Sequence, residues 1–396
     1  MTPGSTDLPA KSVVNNHFVQ LDGLRALAAL SVIIQHCTPL EDYIHFPLGL
    51  FGLWLFFVLS GFLITGILLR SRADAAGDRG ELMYSWRAFY ARRMLRIFPL
   101  YYTALIVAAA IDLPGARQSF GWNAAHIANV AEVSRSLQAP AFAHFWSLSV
   151  EEQFYFIWPT IVLLAPRRWI IAVSLGMVAV APLARLVMMT HLPNFHYARV
   201  LPPACTDGLG MGALLAIMRE TGTMTTKTRN MVCRAALALG LLILVGVMAA
   251  RLVDVGYRIP FSIRYSAYAL VSLWLINGAA DGFRSPARRF LEFVPLVYLG
   301  KISFGIYVLH LMIPSLMEWL RSKTGLGFGF PEDLGLAQFL YVTALSVVLA
   351  SMSWYGLEKP INDLKRFFPY RAAGARGGVG RADDREARPA AYGARS

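Results

Sequence analysis

Long apolar stretches separated by short polar connections run through most of this chain. Each stretch is close to the roughly 20 residues that an α-helix needs to cross the hydrocarbon core of a bilayer. The pattern predicts an all-α polytopic membrane helix bundle of about ten spans. We place them near residues 19–39, 50–70, 93–112, 148–165, 169–189, 205–219, 232–251, 264–280, 296–317 and 335–356.

Basic residues concentrate in alternate connections between these stretches. The densest group lies between residues 70 and 96, and smaller groups follow near 167–168, 219–229 and 284–289. Basic residues close to span ends stay on the cytoplasmic side, so these connections are predicted to be cytoplasmic. With an even number of spans, both termini are expected on that side too. We then expect the remaining connections to face the exterior, namely residues 113–147, 190–204, 252–263 and 318–334.

The apolar domain is predicted to extend over residues 19–362, between two tails. Residues 1–18 are polar, and residues 363–396 are rich in Arg, Ala and Gly, which predicts a disordered basic tail near anionic lipid. The first apolar stretch has no small-residue cleavage pattern, so we keep it as a membrane span and not as a signal peptide.

Composition excludes several functional classes. Hydrophobic residues make up 56% of the 396 positions and charged residues only 15%, which is too apolar for a soluble globular domain. The formal charge of +13 lies mainly in loops and in the tail, as membrane orientation requires, so we expect no nucleic-acid partner. The three cysteines form no CxxC pair, and we expect no metal site.

The most unusual polar residues are Arg25 and His36, which lie within the first apolar stretch. Eleven residues apart at about 100° per residue, they share nearly one helix face and are separated by about 16 Å along the axis. A charged residue in mid-bilayer costs about 2.5 to 3.5 kcal/mol on insertion scales, so intramembrane ionisable groups are functional candidates.

Six short motifs occur in order along the chain: residues 21–26 leading into His36, then 57–64, 93–99, 145–155, 302–310 and 358–360. Together they resemble the motifs of the membrane acyltransferase-3 family, the O-acyltransferases of cell-surface polysaccharides. The resemblance covers roughly residues 19–362. One departure concerns Asp207: family members often carry an arginine shortly before it, whereas Cys205 and Thr206 stand there in this chain.

The resemblance implies an inner-membrane enzyme that moves an acyl group from cytosolic acyl-CoA, most commonly acetyl-CoA, to a carbohydrate hydroxyl outside the cytoplasm. O-antigen, exopolysaccharide and glycolipid are the acceptors that it implies, and a macrolide-type acceptor stays open. A transporter or flippase is an alternative because ten spans carry buried polar residues, although no inverted repeat supports it. A nonenzymatic sensor that uses the basic tail is a third hypothesis.

Acyl transfer to a hydroxyl needs a base that accepts the proton and donors that hold the carbonyl oxyanion. We expect His36 to be the base, and Glu151 or Glu152, at the outer start of the fourth span, to orient its ring. The alternatives are a His36 satisfied by a helix carbonyl and a capping box in which Ser149 and Glu152 satisfy each other's backbone donors.

The donor is expected to bind at the cytoplasmic rim. Arg93 and Arg96 are three residues apart, so on a helix they point the same way and converge on one phosphate group. Snorkelling to lipid headgroups is the alternative for these arginines. Arg25 shares a face with Asp22, three residues before it, and is expected either to pair with Asp22 or to contact the donor.

Acceptor contacts are expected mainly from the motif at residues 145–155. Aromatic residues at a span end are commonly interface anchors, and His310 is as readily a polar link between helices as a pocket wall. The predicted contacts are Trp146, Ser147, Ser149, Tyr155 and His310.

Overall fold

A computed structural model describes residues 18–134, 139–192, 197–252, 256 and 258–370. Within these ranges the chain is helical, with no β-strand. The α-helices are α1 Val19–Cys37, α2 Leu40–Ile44, α3 Leu48–Asp74, α4 Arg79–Ala110, α5 Ala116–Ala124, α6 Ala128–Ser134, α7 Phe145–Leu164, α8 Arg167–His191, α9 Tyr197–Val200, α10 Thr206–Glu220, α11 Thr226–Leu252, α12 Arg258–Asp281, α13 Ala287–Leu291, α14 Val294–Lys301, α15 Ser303–Leu309, α16 Met312–Thr324, α17 Leu336–Ser353 and α18 Lys359–Asn362. Shorter turns of 3-10 helix are Pro140–Phe142, Pro202–Ala204 and Asp363–Phe367, and Trp354–Glu358 is a π-helix.

The prediction of an all-α multi-pass bundle is confirmed. Within the described ranges, six helical segments are long and apolar enough to cross a membrane, and a seventh forms if α15 and α16, which meet at 43°, count as one broken span. The count of ten spans and the cytoplasmic termini stay predictions. Three other predicted spans are not long and apolar enough to be counted. Helices α1 and α7 contain too many polar residues, and α10 has only 15 residues.

Helix α3 lies at the centre of the bundle. It packs against α1, α7, α10 and α12, and most of its side chains are buried in protein. Helices α8, α11 and α17 lie at the periphery, where most of their apolar side chains remain exposed. An apolar outer surface over a packed interior is the arrangement that a lipid environment favours.

Two glycines allow the backbones of α3 and α10 to touch. A Cβ atom built at Gly61 of α3 would overlap the carbonyl oxygen of Leu209, and one at Gly212 of α10 would overlap that of Val58. Small residues at helix crossings are the usual means of close packing in membranes, where apolar burial against lipid gives little driving force.

A fully buried ion pair joins the helices around this contact. The guanidinium of Arg185 in α8 lies 2.7 Å from the carboxylate of Asp207 in α10, and both side chains are inaccessible to solvent. The indole of Trp54 in α3 donates to the same carboxylate at 3.1 Å. Arg185 also donates to the carbonyl oxygens of Ala204 and Ser262 and to the hydroxyl of Ser266.

The partner of Asp207 comes from a distant part of the sequence. In this chain the cation beside the carboxylate is Arg185, on a different helix. Asp207 is therefore a structural residue that connects α3, α8, α10 and α12.

Replacing Arg185 with Met should strongly destabilise the protein. The change leaves Asp207 buried without a cation, and breaking a buried pair in this way costs about 3–5 kcal/mol. The apparent melting temperature in detergent measures the effect. Arg117→Met is the matched control because the Arg117–Asp112 pair is more than half exposed on both sides, where a pair contributes at most about 1 kcal/mol. Equal melting temperatures for both variants would contradict the structural role of Arg185.

Candidate active site

A cavity of about 330 Å³ opens between α3, α4, α7 and α15. We call it the arginine cavity because cations dominate its charged lining. Apolar side chains of α3 and α4, among them Phe57, Leu63 and Phe89, cover other parts of its wall. The charged residues that line it are Arg25, Arg92, Arg93, Arg96, Lys365, Glu151 and Glu152.

Arg93 and Arg96 reach this cavity from one face of α4, as their spacing predicts. The Arg93 guanidinium lies 3.7 Å from the ring centroid of Tyr155, and its Nε is 3.7 Å from a carboxylate oxygen of Glu152. Arg96 is exposed, and within the part of the chain that the structure describes it has no hydrogen bond or ion pair. One arginine is thus held in place while the other is unpaired.

The two carboxylates lie with the arginines and not with His36. Glu151 accepts a hydrogen bond from the Ser60 hydroxyl at 2.8 Å, and Glu152 faces Arg93. The expected pair between His36 and Glu151 or Glu152 is therefore not formed among the described residues. The reason is the start of α7, which begins at Phe145 and not near residue 148, so Glu151 lies about 9 Å inside the helix.

The same start position rules out the capping box. Ser149 lies one turn inside α7, where its hydroxyl donates to the carbonyl of Phe145 at 3.1 Å and accepts from the backbone N–H of Ala128 at 3.1 Å. Ser149 is fully buried, so its described contacts are structural.

Arg25 pairs with Asp22, the first of the two alternatives that the sequence left open, and its contact with a donor stays a prediction. Its guanidinium lies 3.0 Å from the carboxylate of Asp22, and it lines the arginine cavity as well. The ion pair fixes the side chain on α1 at the cavity wall.

The segment that follows α18 covers one side of the arginine cavity. Arg92 donates to the carbonyl oxygens of Lys365 and Phe368, both at 3.1 Å, and lies 4.9 Å from the ring centroid of Tyr370. Burial raises the pKa of the Tyr370 phenol to about 12, so it stays neutral. The predicted tail began at residue 363, whereas residues 363–370 pack on α4; residues 371–396 lie outside the described part.

Three histidines form a cluster beside the cavity. Nδ1 of His36, in the last turn of α1, lies 3.1 Å from Nε2 of His310, at the bend between α15 and α16. The His310 ring is fully buried, and its centroid is 4.5 Å from that of His144. His36 itself is exposed and is not among the residues that line the arginine cavity. We refer to His36, His144 and His310 as the histidine cluster.

A pair of hydroxyls separates the cavity from the histidine cluster. Ser147 Oγ and Tyr307 OH are 2.5 Å apart, and both also bond the carbonyl oxygen of His144. Ser147 and Tyr307 line the cavity, while the carbonyl of Tyr307 lies 2.7 Å from Nδ1 of His310. This Ser147–Tyr307 bridge is thus a thin wall between the two groups of residues.

Of the remaining residues predicted to contact the acceptor, Tyr155 lies in the cavity wall and Trp146 in the apolar core. Tyr155 lines the arginine cavity beneath Arg93. Trp146 is only 6% exposed and packs in the main apolar core, so a sugar ring has no open face of this indole on which to stack.

His126 and Lys365 line the arginine cavity and were missed by sequence reasoning, as was His144 in the histidine cluster. The His126 ring stacks on Tyr101 with centroids 4.6 Å apart, and neither ring nitrogen has a hydrogen-bond partner in the described structure. Burial lowers the pKa of His126 to about 4, so the ring is neutral at physiological pH. It lies in a turn between α5 and α6, with no sequence signal that would place it at the cavity.

A family model described as an acyltransferase domain matches residues 18–355. The chain belongs to this acyltransferase family. The membership confirms the resemblance inferred from the motifs, and with the membrane helices it makes the chain a multi-pass membrane protein of the acyltransferase class. Among the described residues, no group of three His, Cys, Asp or Glu side chains is arranged to hold a metal ion.

Several curated proteins are similar to this acyltransferase. The putative O-acetyltransferase SACOL0978 of Staphylococcus aureus (strain COL) is 24% identical over 362 residues, which cover 86% of this chain and 56% of that protein. The peptidoglycan O-acetyltransferase OatA of Listeria monocytogenes is 26% identical over 372 residues, with 86% and 55% covered. The chain thus spans about half the length of these two relatives.

A viral protein matches over nearly its whole length. The putative acetyltransferase ORF330 of Acidianus two-tailed virus is 26% identical over 344 residues, which cover 84% of this chain and 94% of that protein. No solved structure matches the chain.

Replacing Arg92 with Gln should release the segment at residues 363–370 from α4. The neutral amide is too short to reach both the Lys365 and the Phe368 carbonyls, so trypsin should cut after Lys365 and Arg366 several-fold faster, as measured by mass spectrometry of the fragments. Arg87→Gln is the control because Arg87 is exposed on the same helix and has no described partner. The same cleavage rate in both variants would show that Arg92 does not hold the segment.

Proposed function

We propose that this acyltransferase moves an acetyl group from cytosolic acetyl-CoA to a hydroxyl of an extracytoplasmic carbohydrate, at the inner membrane. The observation that carries the proposal is the arginine cavity beside the histidine cluster, with the Ser147–Tyr307 bridge in contact with both. The cavity offers a binding place for an anionic donor, and the cluster offers a base.

The charges of the cavity support a phosphate-bearing donor. Five cationic side chains face two carboxylates, and Arg96 and Lys365 have no side-chain partner among the described residues. Arginines without a carboxylate partner inside a membrane protein favour an anionic ligand. The guanidinium group binds phosphate through two parallel hydrogen bonds. Coenzyme A carries phosphates at one end and the thioester at the other end of a narrow arm.

The thioester end is expected at the Ser147–Tyr307 bridge. The hydroxyl groups of Ser147 and Tyr307 are able to donate hydrogen bonds to the thioester carbonyl oxygen as negative charge develops on it. The cavity is lined near this point by Phe56 and Phe304, which suit an apolar arm and a small acyl group.

His36 serves as the base in this proposal. The side chain is exposed, so an alcohol is able to approach the ring, which contacts His310 through Nδ1 and the backbone carbonyl of Val32 one turn earlier on α1. His36 takes the hydroxyl proton as the oxygen attacks the thioester carbonyl, and the proton then passes to the sulfur as the C–S bond breaks. The ester and free coenzyme A are the products.

A carbohydrate acceptor is supported by one relative, which is named a peptidoglycan O-acetyltransferase. Mass spectrometry of envelope glycans from cells with and without this chain tests that point. Loss of an acetyl ester from a glycan supports the proposal; an ester found only on a macrolide-type small molecule would replace the carbohydrate acceptor.

His36→Ala should reduce transfer by about 10²–10⁴-fold, the usual contribution of a general base. The assay follows labelled acetyl from acetyl-CoA into glycan in membrane vesicles. His191→Ala, which changes an exposed histidine at the end of α8, should retain activity. Full transfer by a folded His36→Ala protein would remove this residue from the chemistry.

Arg96→Gln should weaken acetyl-CoA binding about tenfold, because a charged hydrogen bond to phosphate contributes about 1.5–3 kcal/mol. Calorimetric titration of purified protein measures the dissociation constant for acetyl-CoA. Added salt should reduce the difference in this constant between Arg96→Gln and the unsubstituted protein. Arg168→Gln, at an exposed arginine of α8, is the control. Unchanged affinity in Arg96→Gln would exclude it from the donor site.

A further inference from the structure

A short ladder of hydrogen bonds leads from a backbone carbonyl to His36. The carbonyl oxygen of Tyr307 lies 2.7 Å from Nδ1 of His310, and Nε2 of His310 lies 3.1 Å from Nδ1 of His36. Both separations are those of formed hydrogen bonds. The ladder joins α15 to the outer end of α1 across 274 residues of sequence.

The first contact fixes the proton on His310. A carbonyl oxygen only accepts hydrogen bonds, so Nδ1 of His310 must carry the N–H. A neutral imidazole has one N–H, which leaves Nε2 of His310 as an acceptor. The neutral form is the one that fits this place, since the ring is fully buried and its described contacts are His36, His144 and Tyr307, none of them a carboxylate.

The second contact then fixes the proton on His36. Because Nε2 of His310 accepts, Nδ1 of His36 must donate. The lone pair of the neutral His36 ring therefore resides on Nε2.

We propose that His310 is a positioning residue that selects the Nδ1–H tautomer of His36 and thereby presents its Nε2 lone pair to the acceptor hydroxyl. The inference rests on the proposed role of His36 as the base. In this arrangement a neutral histidine takes the orienting role that the sequence suggested for Glu151 or Glu152.

The ladder also limits where the proton goes. When Nε2 of His36 accepts the hydroxyl proton, His310 stabilises the charged ring by accepting its Nδ1–H. His310 does not pass a proton onward, because its own Nδ1–H points at a backbone carbonyl, which has no basic site for it. The proton therefore stays on His36 and is available to the leaving sulfur.

The tautomer is measured directly by nitrogen NMR of protein labelled with 15N-histidine, without any substrate. The His36 signals are assigned by their loss in His36→Gln. In the unsubstituted protein, Nδ1 of His36 should appear protonated and Nε2 unprotonated. In His310→Met the Nε2–H form should become substantially populated, since Nδ1–H loses its acceptor on His310 and only the Val32 carbonyl remains beside the His36 ring.

Gln at position 310 is the conservative variant. Its amide carries one acceptor and one donor on a planar group, as neutral His310 does, so it is able to accept from His36 and donate to Tyr307. We expect His310→Gln to restore the Nδ1–H tautomer. In transfer assays His310→Met should lose about 100-fold in kcat with KM for acetyl-CoA within twofold, and His310→Gln should recover at least a tenth of the activity.

The two readouts separate this inference from the proposed function. An unchanged His36 tautomer in His310→Met, or in a folded His310→Asn if the Met variant does not fold, would overturn the ladder and assign the tautomer to a helix carbonyl. Equal kcat losses in the Gln and Met variants despite different tautomers would overturn the positioning role. If the tautomer responds but His36→Ala stays active, the ladder stands and the proposed base is wrong.

Discussion

Charged side chains inside a membrane protein must be paired, and this requirement organises the bundle. Arg185 and Asp207 satisfy it completely, with the indole of Trp54 as an added donor. A second group joins α10, α11 and α12, where Arg219 and Arg229 lie 2.6 and 2.8 Å from Asp281. These pairs, together with hydrogen bonds such as Asn277 to Asn230, connect helices whose apolar and glycine contacts contribute a modest free energy of packing in lipid.

The arginine cavity departs from this rule, and the departure is the reason to regard it as a binding site. Arg25 and Arg93 lie within 4 Å of a carboxylate, whereas among the described residues Asp22 and Glu358 act on Arg96 only at longer range and form no ion pair with it. A cation surplus is costly in an empty low-dielectric cavity and becomes favourable once an anion binds. Pairing is thus complete between α8 and α10, and incomplete at Arg96 on α4.

Contacts between residues close together in the sequence could be predicted, whereas contacts between distant segments could not. The shared face of Arg93 and Arg96 and the Arg25–Asp22 pair follow from helix periodicity, and both are present. The start of α7 did not follow, because the residue that looked like its cap, Ser149, bonds instead to a backbone N–H on another helix.

Contacts between distant helices were beyond sequence reasoning. His36 and His310 were each singled out, yet nothing in their local sequence shows that the rings meet, since this depends on the bend between α15 and α16. The same holds for Arg185, whose apolar neighbours on α8 give no hint of Asp207. The catalytic and binding roles of the predicted site residues stay predictions.

The attachment of residues 363–370 to α4 has a consequence for biosynthesis. Arg92 emerges from the ribosome 273 residues before Lys365, whose carbonyl it binds. One side of the arginine cavity is therefore still missing when α4 has been synthesised. The wall that encloses its cations is completed only when residues 363–370 dock on α4.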